Sequence, residues 1–132
     1  MAFEYVGRVG TTVPPFENQF LLTNAEAGAL GEVFVLTSGR LTKSGATAVP
    51  EYVGIRTQAA ETTSVTPYPV MQVFDTMLFK TTSTGQIASA GGTYTVHTDG
   101  LQITTTTTSG VFKVVETDGA TLSTVKGYFI NA

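Results

Sequence analysis

The chain has 132 residues, 7 basic and 10 acidic side chains for a net charge of −3, and no cysteine. This length is enough for one domain with its own core, and the lack of cysteine excludes disulfides, thiol catalysis and cysteine-ligated zinc. So few basic residues argue against nucleic-acid binding, which needs concentrated Lys and Arg. Threonine, which favours strands, occurs 25 times, so the composition predicts an all-β domain with many turns.

Residues 1–23 differ from the rest of the chain because prolines and glycines separate widely spaced aromatic side chains. They contain no apolar stretch typical of a secretory signal, so no signal peptide is expected. No apolar stretch anywhere in the chain is long enough to span a membrane, so no transmembrane segment is expected. Two interpretations remain open: an extended N-terminal arm that contacts a partner, or a strand folded back on its own domain. The anchors of an arm would be Phe3, Tyr5, Val13, Pro14, Pro15, Phe16 and Phe20.

Residues 24–132 are predicted to form a single β-rich domain that begins with short strands joined by tight turns. An alternating run at 31–37 is followed by Ser38 and Gly39, which predict a hairpin into a strand at 40–43. A third strand is expected after Pro50, and Gly54 within it indicates a bulge or the close approach of another backbone. Further strands are expected at 65–73 and 77–82.

The C-terminal part is predicted to be a β-meander with strands at 93–98, 101–108, 111–116 and 121–130. Asp99 and Gly100, between the first two runs, predict a type I′ turn in which both residues have positive φ. The run Thr104–Thr108 has high strand propensity but carries hydroxyls on both faces, so it specifies its register poorly. Together these elements predict a small β-sandwich or barrel-like domain.

The aromatic residues in or beside the predicted strands are expected in the core. They are Phe74, Phe79, Tyr94, Phe112, Tyr128 and Phe129. Tyr52 follows closely after Pro50, and Tyr68 lies between two prolines, so both are predicted to lie at the surface or in an interface. Because sugars stack on exposed tyrosines, a carbohydrate-binding module remains an alternative.

No pattern in the sequence assembles an active site. His97 is the single histidine and could share a strand face with Thr95 and Asp99, but no nucleophile turn of the form G-x-S-x-G accompanies it. Asp75 and the other acids form no spaced pair suited to glycoside hydrolysis. Motifs for metal, phosphate or dinucleotide binding are also missing from the sequence. We therefore expect a non-enzymatic protein without cofactor or metal.

Residues 27–60 contain a strand that ends in an L-x-x-G-x-L run, a variable loop, and then a Gly-Ile pair. The residues concerned are Leu36, Gly39 and Leu41, followed by Gly54 and Ile55. This order resembles the β-tulip-like domain of tailed-bacteriophage head decoration proteins, also called capsid cement proteins. The C-terminal meander exceeds the minimal domain of that family.

The resemblance implies a structural virion protein on the outer capsid surface, made in the host cytoplasm. Members of the family commonly bind as trimers that bridge capsid subunits, so the expected partners are the major capsid protein and further copies of this chain, with no nucleic acid or membrane. Addition of a strand to a sheet edge would supply main-chain hydrogen bonds to a partner. The alternatives are a tail-tube or other minor virion protein, and a carbohydrate- or surface-binding β module.

Overall fold

The computed structural model describes residues 2–8 and 16–132, and these form a small β-sandwich of two curled sheets. In spatial order, the five-stranded sheet contains β1 (Glu4–Arg8), β8 (Met77–Thr82), β11 (Thr124–Phe129), β10 (Phe112–Thr117) and β9 (Thr93–Tyr94). The six-stranded sheet contains β2 (Phe16–Glu17), β7 (Val70–Gln72), β6 (Tyr52–Gly54), β4 (Val33–Thr37), β5 (Arg40–Lys43) and β3 (Leu21–Leu22). These ranges include no helix long and apolar enough to cross a membrane. The predicted all-β class is confirmed.

The main core lies between the sheets, where the alternation of each long strand turns one face inward. Phe79, Phe112 and Phe129 are fully buried as predicted, and the ring centroids of the last two lie 5.0 Å apart. The six-stranded sheet contributes Val33, Val53 and Met71. Of the other aromatic residues predicted for the core, Phe74, Tyr94 and Tyr128 are half-buried.

A second, smaller core covers the outer face of the six-stranded sheet. It consists of Leu22, Phe34, Leu41, Tyr52, Tyr68 and Val70, with Phe20 and Leu36 packed against it. Segments 18–31 and 55–69 supply Leu22 and Tyr68 to this core and so cover the sheet. Two backbone hydrogen bonds between Gly28 and Gln58, of 2.9 and 2.8 Å, link the two segments. The six-stranded sheet is therefore packed on both faces, whereas the five-stranded sheet buries one face.

The described parts of the predicted arm are built into the domain. Phe3 is 2% exposed, and its N–H donates a hydrogen bond of 3.0 Å to the carbonyl oxygen of Gly31. Strand β1 pairs with β8, β2 with β7, and β3 with β5. The expectation of a free arm is wrong for these residues, because strand pairing satisfies their backbone groups and the Phe3 ring is buried in the main core. The candidate anchors Val13, Pro14 and Pro15 lie outside the described residues.

The two predicted hairpin turns differ in conformation. Ser38 and Gly39 have φ values of 51° and 80°, so the type I′ geometry occurs here, between β4 and β5. At the second turn Gly100 has a φ of 71° but Asp99 does not have a positive φ, so the type I′ prediction is wrong there. The Asp99 carboxylate instead accepts the N–H of Leu101 at 2.8 Å, which is the hydrogen bond of an Asx turn.

The predicted meander is present as β9, β10 and β11, which are successive neighbours in the five-stranded sheet. The regular strand predicted at 101–108 is wrong, since only isolated bridges form at Ile103, but backbone hydrogen bonds still join this run to Thr95 and His97. The Thr104 hydroxyl lies 2.6 Å from the Thr95 hydroxyl and accepts the N–H of Thr106 at 3.0 Å. These hydroxyl contacts supplement backbone hydrogen bonds that join Thr95 to Thr104 and Thr106.

Candidate interaction surface

An apolar cavity of about 330 Å³, here called the N-terminal notch, opens between the start of β1 and the six-stranded sheet. Its lining residues are Ala2, Phe3, Glu4, Tyr5, Leu30, Gly31, Val53, Gly54, Ile55 and Met71. Leu30 and Ile55 are 59% and 37% exposed. An exposed apolar concavity is the kind of surface that proteins bury against partners.

Gly31 sets the shape of the notch. Its φ is +81°, and a Cβ at this position would lie 2.7 Å from the Cβ of Ala2 and 2.9 Å from the carbonyl oxygen of Phe3. The Gly31 N–H donates to the carbonyl oxygen of Gly54 at 2.8 Å, while its own carbonyl accepts the N–H of Phe3. Gly31 thus joins the N-terminal segment to the six-stranded sheet, and the neighbouring Leu30 is presented on a hydrogen-bonded backbone.

The edges of the two sheets are poorly suited to pairing with another chain. The edge strands β2, β3 and β9 have two residues each. The longer edge strand β1 contains a register shift between Tyr5 and Gly7. Short strands and bulges both protect sheet edges from strand addition. Contact through side chains therefore fits these surfaces better than the strand addition expected from the sequence.

The described candidate anchors pack within the domain and do not extend from it. Phe3 lies in the main core and also lines the N-terminal notch, as does the half-buried Tyr5. Phe16 belongs to β2, where it is opposite Met71. Phe20 is half-buried on the second core, with its ring centroid 5.1 Å from that of Tyr52. Two of the predicted anchors therefore contribute to the notch.

Tyr68, predicted at the surface, is fully buried. It passes between Gly28 and Gly54, where added Cβ atoms would overlap its ring and hydroxyl group. Its hydroxyl lies 3.0 Å from the carbonyl oxygen of Ala29 and is also within hydrogen-bonding distance of that of Arg56. Burial raises the pKa of Tyr68 far above its usual value, because an apolar site disfavours the phenolate.

The prolines beside Tyr68 prevent regular pairing in the first half of the strand predicted at 65–73, so β7 begins only at Val70. Tyr52 is also buried, with 9% of its surface exposed. Burial raises the pKa of Tyr52, and the negative charge of Glu17 adds to the effect. The surface prediction is wrong for both Tyr68 and Tyr52, because both are buried in the second core, so these rings do not form the stacking platform that the carbohydrate alternative requires.

His97 lies beside the carboxylate of Asp99, with 3.2 Å between Nδ1 and Oδ1. Its Nδ1 also lies 3.3 Å from the Asp99 N–H, which donates to it. The Thr95 hydroxyl contacts Thr104 instead of His97. Asp75 is exposed, elsewhere in the chain. In the ranges 2–8 and 16–132, no three His, Asp or Glu side chains are placed to hold a metal ion. The His97 region is arranged as a turn.

Glu32 is a buried charge that the sequence reasoning missed. It is 2% exposed, and its Oε2 lies 2.6 Å from the Nζ of Lys43. Its Oε1 accepts the N–H of Ala29 at 3.1 Å. It lines a cavity of about 590 Å³ together with Glu26 and Asp99. Glu32 is two residues before Phe34 in the sequence, so the two side chains lie on the same face of the strand, and this spacing indicated that Glu32 is covered as Phe34 is. The pairing with Lys43 gives it a structural role.

The chain matches no family model, no curated protein and no solved structure. The residues that carry the resemblance to decoration proteins nevertheless have identifiable structural roles. Gly39 forms the type I′ turn, Leu41 is fully buried, and Gly54 leaves space for Tyr68. Inference about function therefore depends on the exposed surfaces and on this resemblance.

Proposed function

We propose that the protein is a non-enzymatic virion subunit that binds the outer surface of a phage capsid. The proposed partner is the major capsid protein, and the proposed assembly is a homotrimer that bridges neighbouring capsid subunits. The observation that carries this proposal is the N-terminal notch, in which exposed Leu30 and Ile55 flank an apolar cavity. A fixed apolar concavity suits burial against another protein, and the resemblance over residues 27–60 indicates the class of partner.

Such a subunit stabilises a shell by occupying several sites at once. Each contact can be weak, because linking the sites raises the effective concentration and strengthens binding by about 10²–10⁴. Since it binds the assembled lattice in preference to free subunits, occupancy shifts the equilibrium towards the lattice by mass action. This mechanism requires shape and multivalency, and it uses no reactive side chain, cofactor, nucleic acid or membrane.

The test is cosedimentation of the purified protein with mature heads of the phage that carries its gene. The double variant Leu30→Glu with Ile55→Glu places charge on the rim of the notch. Its matched control is Val65→Glu with Leu122→Glu, since these residues are 69% and 65% exposed and do not line the notch. We expect binding by the wild type and the control, and at least about tenfold weaker binding by the notch variant.

Equal binding by both variants would remove the notch from the mechanism, and no binding by the wild type would overturn the capsid proposal. Mass measurement in solution and on particles distinguishes the assemblies. Trimers support the proposed function, whereas hexamers or stacked rings favour a tail-tube component. Binding to glycans in place of heads would favour the carbohydrate alternative.

A further inference from the structure

The outer face of the five-stranded sheet carries a straight row of four charged residues, well apart in sequence. The register places Glu4 opposite Lys80, Lys80 opposite Lys126, and Lys126 opposite Glu116. Residues directly opposite each other in a sheet point to the same side, and the neighbours of Lys80 and Lys126 along each strand are buried. The row therefore crosses four adjacent strands in the order acid, base, base, acid on the outward face.

The two central lysines lie directly opposite each other in β8 and β11 and repel each other. Like charges directly opposite each other in a sheet are destabilising. Relief from Glu116 is small, because its Oε2 lies 3.9 Å from the Nζ of Lys126 and the two side chains are 68% and 41% exposed. Exposed pairs of this kind contribute little. Glu4 opposite Lys80 and Glu116 opposite Lys126 offset the repulsion between the lysines, so the row as a whole contributes little to the stability of the fold.

Two β-bulges frame the row. Strands β1 and β10 each contain one, and the extra residues are Val6 and Val115. These valines are 48% and 46% exposed. In β10 the bulge brings Glu116, instead of Val115, opposite Lys126. Bulges commonly re-aim side chains near functional sites. Here they add an exposed apolar residue in each of the two strands that flank the lysine pair.

We propose that this lysine-pair face, made of Glu4, Lys80, Lys126 and Glu116 with Val6 and Val115, binds an acidic protein surface. The partner presents two neighbouring carboxylates to the lysines and apolar side chains to the valines. Its carboxylates relieve the repulsion between the lysines, while the flanking glutamates repel further acids and so define the position of binding. The face is separate from the N-terminal notch, and the inference does not rest on the capsid proposal.

The charge pattern also disfavours other occupants. A second copy stacked directly over this face would place its lysine pair against the first pair, which is repulsive. A nucleic-acid backbone is continuously anionic, so Glu4 and Glu116 would repel it at both ends of the row. Two neighbouring carboxylates are complementary to this pattern, because they can pair with Lys80 and Lys126 without lying over Glu4 or Glu116.

The test uses a fluorescent peptide with two adjacent glutamates between apolar residues as the probe and measures its anisotropy at low salt. The variant Lys80→Gln with Lys126→Gln lowers the net charge by two. Its matched control, Arg56→Glu, lowers the net charge by the same amount at an exposed residue outside the lysine-pair face. We expect wild-type binding that weakens with added salt, about tenfold weaker binding by the lysine variant, and a change of less than about twofold in the control.

Absence of wild-type binding would overturn the inference, as would equal weakening by the two variants, because net charge alone would then explain the affinity. Tighter binding of an oligonucleotide than of the diglutamate peptide would overturn it in favour of a nucleic-acid site. The notch variant, Leu30→Glu with Ile55→Glu, is expected to bind the peptide as the wild type does. Failure to bind phage heads can therefore be separated from failure of the lysine-pair face.

Discussion

The outer faces of the two sheets differ, because the chain itself covers one and leaves the other exposed. On the six-stranded sheet the chain covers its own strands with a second core, in which Tyr68 and Phe34 are buried. On the five-stranded sheet the corresponding face exposes opposed lysines and two half-exposed valines. Burial of apolar surface stabilises the first face, whereas opposed like charges do not stabilise the second. The comparison teaches that the exposed face is free to serve a partner because folding does not depend on it.

The largest expected effect comes from breaking the covered face at Gly54. We expect Gly54→Ala to lower the free energy of unfolding by about 3 kcal/mol, because the added Cβ overlaps the Tyr68 hydroxyl and the cover must shift. Urea denaturation measures the change. Gly45→Ala is the control, since its φ is +75° and nothing lies within 4 Å of an added Cβ. It should cost about 1 kcal/mol from backbone strain alone, and a smaller loss at Gly54 than at Gly45 would contradict the account.

An intermediate effect is expected from the pH dependence of Tyr68. Its pKa in the folded protein is raised above the usual 10.0, so its contribution to stability is complete below pH 10. As the pH rises further, the unfolded chain ionises first and stability falls. We expect the urea midpoint of the wild type to decline above about pH 10.

Tyr68→Phe isolates this contribution, because the other tyrosines remain in both proteins. The variant should be less stable at neutral pH by about 1–2 kcal/mol, since the carbonyl oxygens of Ala29 and Arg56 lose their donor. Its stability should decline less steeply in alkali. Parallel pH profiles for the two proteins would show that Tyr68 is not the group responsible.

The smallest effect, and one of opposite sign, is expected on the exposed face. Lys80→Thr removes the repulsion with Lys126 together with the weaker, exposed pairing with Glu4, and it introduces a residue that favours strands, so stability should rise by at most about 0.5 kcal/mol. The gain should shrink in high salt, which screens the repulsion. Lys113→Thr is the control, because Lys113 lies opposite Tyr128. A loss of stability specific to Lys80→Thr would show that the lysine pair serves folding after all.

Local patterns account for the parts of the fold that were predicted. The bounds of β5 and β8 agree with the runs at 40–43 and 77–82, and β10 is shifted by one residue. Alternation of apolar residues and turn residues act over a few neighbouring positions, so they can be recognised in the sequence. The run at 101–108 does not form a regular strand because its buried residue, Ile103, bridges two different segments, and the threonines that follow offer no apolar face to extend either pairing.

The candidate surfaces depended on contacts between distant parts of the chain. Leu30 and Ile55 become neighbours across one notch through the approach of Gly31 to Phe3. Tyr68 gave a misleading local signal, since its prolines are typical of a loop while its burial requires glycines far along the chain.

The sequence by itself determined the all-β class, the hairpin turn at Ser38 and Gly39, and which strand positions could face a core. The tertiary structure alone decided that the N-terminal segment pairs within the domain, that Tyr68 is enclosed, and that Lys80 meets Lys126. The physical reason is that periodicity and turn conformation are properties of neighbouring residues, whereas register and enclosure follow from which distant strands pair.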